Sequence, residues 1–218
     1  MVAPSPSSGE IAHTQPPTTP QVPAIERLPS GTTLYRVHRL PHKASEFNPP
    51  PASPYRGGRF DSPDGTYAHL YAGQSEAAAV AETLLRSLPI NGKGRFLPRA
   101  ILKERVLSAL QTTLDLDIVR LHGDGLLRIG AVPGLTKCEA RDYPYTRHWA
   151  QSIRTWAPTA CGFVWRSRHH DNLLSYVFFS DRTPGAPFLD GPGNRIDSGP
   201  GLVLLRKMLL PYRIAISR

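Results

Sequence analysis

The sequence predicts an α+β fold in one compact domain, and three observations carry that prediction. Residues 34–40 alternate as a strand, residues 75–88 repeat apolar positions at helical spacing, and the later strands are not separated by helices at regular intervals. Without βαβ alternation, strands and helices segregate rather than forming a doubly wound parallel sheet.

Residues 1–30 come first and differ from the rest. They hold seven of the chain's 23 prolines, and their only charged residues are Glu10, Glu26 and Arg27. A Pro/Ser/Thr-rich segment of this kind buries too little surface to offset its ordering entropy. It reads as a disordered tail, with residues 31–218 as the folded domain. In Leu34-Tyr35-Arg36-Val37-His38-Arg39-Leu40, Leu34, Arg36, His38 and Leu40 share one face, and polar residues occur on both. Prolines 49–51 forbid a central strand and mark a loop that runs to Gly57-Gly58. Arg59-Phe60-Asp61 reads as extended, and Ala68–Ala72 as another strand.

The clearest helix is 75–88. Ala77, Val80, Ala81, Leu84, Leu85 and Leu88 form its apolar stripe, Ser75 is its N-cap, and Pro89 and Gly92 end it. Residues 97–121 read as one or two strands, 145–156 as a helix, and 162–167 and 174–179 as strands. A Gly/Pro-rich loop is expected over 184–201, then a short helix at 202–210 and a closing strand at 212–216.

The composition excludes several function classes. No apolar run reaches the ~18 residues of a membrane span, and the first ten residues lack the basic and apolar regions of a secretory signal. Two cysteines, Cys138 and Cys161, make neither a metal cage nor a disulfide framework, which points to a reducing cytoplasm. No resident metal or cofactor is expected. The P-loop, the GxGxxG fingerprint, HExxH and GxSxG are all absent. His169-His170-Asp171 reads as a solvated loop, because adjacent residues point apart. The net charge of +9 lies entirely in the folded part. It suits a nucleic acid, an anionic surface or a phosphorylated small molecule equally.

Five residues stand out as candidates. Arg36 sits inside a strand, and Arg59 follows two glycines that let backbone approach a ligand. A buried guanidinium needs a carboxylate or a phosphate, so each meets either an internal acid or an anionic ligand. Tyr71 ends a strand and either stacks on a flat ring or packs in the core. Glu82 lies roughly 120° from the centre of the apolar stripe. With Arg86 four residues on, spacing alone favours a surface ion pair. Ser167, at a strand end, binds either a ligand or a nearby backbone group.

The segments Leu34-Tyr35-Arg36-Val37, Gly58-Arg59-Phe60, Leu70-Tyr71-Ala72, Ala79–Thr83 and Gly162–Arg168, followed by Asn172 and an apolar strand, resemble in order and rough spacing the RES domain family. The likeness covers about residues 32–216, and the stretch between Glu82 and Ser167 is longer than in compact members. The resemblance implies an ADP-ribosyltransferase-like split β core with a cleft for NAD. It implies a toxin of a bacterial toxin–antitoxin pair that degrades NAD by phosphorolysis or hydrolysis of the nicotinamide–ribose bond. NAD is then the substrate and inorganic phosphate the candidate co-substrate. The implied partner is an Xre-like helix-turn-helix antitoxin, the only route to nucleic acid. It places Arg36, Glu82 and Ser167 in catalysis, and Arg36, Arg59, Tyr71 and Ser167 in substrate binding. Two other readings compete: ADP-ribosyl transfer to a macromolecule, and a basic nucleic-acid-binding module.

Overall fold

The structure, a computed structural model, describes residues 14–53, 56–86, 88 and 95–217. Its strands are β1 (Ile25–Leu28), β2 (Thr33–Arg39), β3 (His69–Gly73), β4 (Arg95–Leu97), β5 (Arg105–Thr112), β6 (Leu116–Arg120), β7 (Gly162–Arg166), β8 (Leu174–Phe179), β9 (Phe188–Arg195) and β10 (Ile214–Ile216). Its helices are α1 (Glu76–Val80), α2 (Asp124–Arg128), α3 (Gly134–Lys137), α4 (Tyr143–Trp156) and α5 (Gly199–Leu209). Eight strands form one sheet in the order β1-β6-β7-β8-β3-β2-β5-β9, and β10 pairs with β4 apart from it. In the large sheet, β6 and β7 run parallel and the other neighbours antiparallel. The fold is α+β, as expected.

The continuous apolar runs of β7 and β8 follow from burial on both faces of the sheet. Phe163, Trp165, Val177 and Phe179 enter one core cluster, with Phe60, Trp149 and Ile153 of α4. Their alternates Val164, Tyr176 and Phe178 enter another, with Leu34, Leu70 and Ile118. A third cluster joins Val80 of α1 to Leu202, Leu205 and Leu209 of α5.

Four expectations are corrected. The fold begins before residue 31. Within the expected tail, Ile25–Leu28 pair with Leu116–Val119, Ala24 and Leu28 are buried, and Trp149 Nε1 donates to the Thr14 carbonyl at 2.6 Å. A sheet edge offers unpaired backbone groups, and a short segment covers them whatever its composition. Residues 1–13 lie outside the described residues. Arg59-Phe60 forms a turn rather than extended chain, because the Asp61 carboxylate accepts the Gly58 N–H at 2.6 Å and folds the segment back. The expected helix 75–88 is α-helical only to Val80, and Ala81–Leu85 continue as a π-helical turn. Its expected terminators Pro89 and Gly92 lie outside the described residues. The Gly/Pro-rich loop contains β9, one of the two end strands of the sheet, whose exposed edge tolerates Pro192.

Candidate functional site

The sheet is split at one seam. β2 and β3 pair only at Tyr35 and Gly73, whereas β2 pairs with β5 along its whole length and β3 does so with β8. Past that pair the two strands diverge, and a cavity of about 280 Å³ opens between them. β2 contributes Arg36, Val37, His38 and Arg39 to its wall, and β3 contributes His69 and Tyr71. The loop after β2 adds Arg59, and the π-helical turn adds Glu82 and Thr83. Single-turn π segments recur at functional sites because they re-aim side chains that a regular helix would place elsewhere.

Arg36 is 4% exposed, and its Nη1 donates to the carbonyls of Ala44 at 2.6 Å and Glu46 at 2.5 Å. Among the described residues no carboxylate reaches ion-pair distance of it. Burial lowers its pKa to about 10, so it stays charged at neutral pH. Arg59 is 3% exposed and its contacts are also neutral. Nη1 reaches Cys138 Sγ at 2.9 Å, Nη2 reaches the Cys138 carbonyl at 3.3 Å, and Nε has no partner. Thr146 Oγ1 donates to the Arg59 carbonyl at 2.6 Å and fixes the turn beneath it. The cavity therefore holds two buried guanidinium groups with no carboxylate at ion-pair distance among the described residues. Burial disfavours the Arg36 charge on balance; at Arg59 burial works the same way, but Tyr143, Cys138 and Glu82 outweigh it and raise the pKa.

Tyr71 is bound to the scaffold through its hydroxyl, which donates to Asp61 Oδ1 at 2.9 Å and accepts the Phe60 N–H at 2.8 Å. Burial beside the Asp61 charge raises the phenol's pKa well above its ordinary value. Only its ring is left for a ligand. Gly58 is required here, since a Cβ on it would lie 2.6 Å from the Tyr71 ring and 2.7 Å from Asp61 Oδ1. Glu82 makes no ion pair with Arg86 among the described residues. Its Oε1 accepts the Arg168 N–H at 3.0 Å, while Arg86 Nη1 turns to the Gly57 carbonyl at 3.2 Å. The surface ion pair expected from spacing alone is thus replaced by a carboxylate anchored at the cavity wall.

Ser167 is the exception among the candidates. It does not line the cavity; it is fully buried, and its Oγ has no partner. β7 ends at Arg166, and Ser167 N–H donates to the Leu173 carbonyl, so the chain turns before the side chain reaches the cleft. Its neighbour Arg168 is the residue that touches Glu82.

Sequence reasoning missed several wall residues. Arg39, Arg86 and Arg105 line the cavity, as do His69 and Tyr143. His69 Nδ1 lies 3.4 Å from Asp61 Oδ1, and burial lowers its pKa. Only its place on β3, two residues from Tyr71, marks it, and sequence does not show strand divergence. Ser175, buried with an unpartnered Oγ, lines a small recess beside Tyr71, Glu82 and Trp165. His169, read as solvated, is half-buried, and burial lowers its pKa to about 4. Among the described residues no cluster of three or more His, Cys, Asp or Glu is placed to hold a metal. No helix among them is long and apolar enough to cross a membrane.

Comparison with known proteins fits this geometry. The RES domain model matches residues 33–191, most of the chain. The chain belongs to the RES domain family. No curated protein matches it. Among solved structures, this RES domain is similar to a chain of the M. tuberculosis MbcT–MbcA toxin–antitoxin complex. The TM-score is 0.60 at 13% identity, over 84% of this chain and 91% of that one. At that identity the likeness is one of fold. The matched span of the RES domain contains all five candidate residues and the whole seam between β2 and β3.

Proposed function

We propose that this RES domain consumes NAD, cleaving the bond between nicotinamide and ribose, and that it is the toxin of a toxin–antitoxin pair. The observation that carries the reading is the cavity's charge pattern: among the described residues Arg36 and Arg59 are buried with no carboxylate at ion-pair distance, in the same wall as the anchored carboxylate of Glu82. Two guanidinium groups suit a diphosphate. Cleavage of the C–N bond develops oxocarbenium character on the ribose, and a fixed carboxylate stabilises it. Nicotinamide leaves as a neutral molecule with the bonding electron pair. An oxygen of phosphate or of water bonds to the ribose carbon, and in hydrolysis the water's proton passes to solvent. The Tyr71 ring supplies a stacking face. Ser167 acts as a positioning residue, since it precedes the Arg168 N–H that holds Glu82.

The fold likeness to a toxin–antitoxin complex supports the toxin role. An Xre-like antitoxin that covers the cleft is the proposed partner, and nucleic acid contact would come through it. The deciding experiment incubates the purified, partner-free chain with NAD, with and without inorganic phosphate, and identifies the products. Loss of NAD with release of nicotinamide is expected. Intact NAD under both conditions would sink the reading, and label transferred to protein or nucleic acid would move it to ADP-ribosyl transfer.

A further inference from the structure

Among the described residues five arginines line the cavity, Arg36, Arg39, Arg59, Arg86 and Arg105, with one carboxylate, Glu82. The dinucleotide of the proposed reaction carries two negative charges on its diphosphate, and Arg36 with Arg59 already match those. Three cations are left over, and they come from three elements. Arg39 is on β2, Arg105 lies directly opposite it on β5, and Arg86 follows the π-helical turn. Like charges directly opposite in an antiparallel pair are destabilising. Arg105 is half-buried, and burial, with the Arg39 and Arg86 charges beside it, lowers its pKa.

The nearby acids are engaged elsewhere. Glu46 takes His42 at 2.7 Å, and Asp197 takes Arg195 at 2.7 Å. Asp190 accepts from Ser45. The anchors of the three arginines are neutral where present: Arg105 Nε donates to the Ile101 carbonyl at 2.6 Å, and Arg86 donates to Gly57. Among the described residues none of the three has an ion-pair partner. Arg86 and Arg105 are thus held in place by neutral groups while Arg39, exposed at the rim, faces Arg105 across the register pair, an arrangement suited to an anion between them.

We propose that Arg39, Arg86 and Arg105 form a second anion subsite, which takes a phosphate group additional to the diphosphate held by Arg36 and Arg59. The proposal rests on the dinucleotide reading only for what fills the first subsite. The added phosphate has two sources, a 2′-phosphate on the dinucleotide (NADP) or free inorganic phosphate.

Calorimetry on the full chain separates them. The titrants are inorganic phosphate, NAD and NADP, and the protein carries Glu82→Gln so that dinucleotides stay intact. Arg39→Gln and Arg105→Gln are then added singly and together. If the source is the ribose phosphate, NADP binds at least ~10-fold tighter than NAD, and the substitutions erase that preference while leaving NAD within ~2-fold. If the source is free phosphate, inorganic phosphate binds saturably, its Kd rises ~10-fold in the variants, and NADP gains nothing over NAD. The proposal is overturned if the double variant leaves the affinities for both inorganic phosphate and NADP within ~2-fold of the parent. Arg39 is exposed, so Arg39→Gln carries the test should Arg105→Gln fail to fold. Saturable phosphate binding that depends on Arg39, in a wild-type chain that leaves NAD intact, would refute the NAD reading and keep the subsite.

Discussion

Tyr71→Phe separates the scaffold role of this residue from its role at the ligand. The substitution keeps the ring and its T-shaped contacts with His69 and Trp165, at centroid distances of 5.2 and 6.1 Å. It removes one hydroxyl that serves two buried groups: the Asp61 carboxylate at 2.9 Å and the Phe60 N–H at 2.8 Å. Loss of a hydrogen bond to a charged acceptor costs about 1.5–3 kcal/mol, and an orphaned buried N–H adds about 1–3 kcal/mol. These overlap, because the loop relaxes and Asp61 keeps the Gly58 N–H. A net loss of about 2–4 kcal/mol is expected. For a domain of this size that lowers Tm by roughly 10 °C. Guanidinium denaturation of the full chain measures it. If NAD is the substrate, turnover per folded molecule at low temperature should stay within about 3-fold, because the hydroxyl never reaches the ligand. A loss below 0.5 kcal/mol, or a collapse of turnover in a protein of unchanged stability, would refute the assignment of the hydroxyl to the scaffold.

If NAD is the substrate, Glu82→Gln, which keeps the shape of the side chain and its contact with the Arg168 N–H but removes the charge, should lower NAD depletion by at least ~100-fold while the circular dichroism spectrum and Tm hold. ADP should raise the Tm of wild type and not of Arg36→Ala, because its diphosphate matches the buried Arg36 charge; a scanning fluorimetry shift that survives the substitution would place the diphosphate elsewhere. Leu28→Ala, within the strand that sequence reading left in the tail, should cost about 2–4 kcal/mol in urea, whereas a tail residue would cost nothing. Burial depresses the His169 pKa from its ordinary 6.5 to about 4, so the unfolded chain binds more protons between those values. Stability from this group is full above pH 6.5 and lost as pH falls toward 4. His169→Gln should flatten that part of the stability–pH curve, and an unchanged slope would remove His169 as its cause.

Much of the fold was legible where burial imposes a simple pattern. β2, β7, β8 and α4 were read within two residues, since the strands carry apolar or alternating runs and α4 buries residues at helical spacing. β1 and β9 were missed for a shared reason. Both are outer strands of the sheet, where backbone pairing suffices and Pro, Gly and charged residues are tolerated. The π-helical turn was missed because the apolar spacing of 75–88 satisfies a regular helix equally well, and the extra residue per turn leaves no compositional trace. At the site, Arg36, Arg59, Tyr71 and Glu82 converge on one cavity, and family resemblance, not spacing, brought Glu82 into it. Ser167 belongs to the same motif yet stops behind the wall, because motif order says nothing about where a strand ends. The extra arginines were invisible for the opposite reason: scattered through the sequence, they meet only when β2, β5 and the π-helical turn close around the seam.

The seam itself explains why these residues meet. A Cβ on Gly73 would lie 2.5 Å from the Ala79 nitrogen and 2.6 Å from the Ala78 Cβ, so only glycine lets α1 press against the sheet at the β2–β3 pair. With α1 seated there, beginning at its Ser75 cap, the chain cannot continue both strands side by side past Tyr35. β2 follows β5 and β3 follows β8, and the groups that sheet pairing would have covered face a cleft. Arg36 is buried there because it lies one residue beyond the last β2–β3 pair, and Tyr71 because it lies two residues short of it on the other strand. The π-helical turn then follows α1 directly and delivers Glu82 to the same opening. The sheet defect is therefore the origin of the site. A change that restored pairing across the seam would close the cavity before it altered any of the side chains that line it.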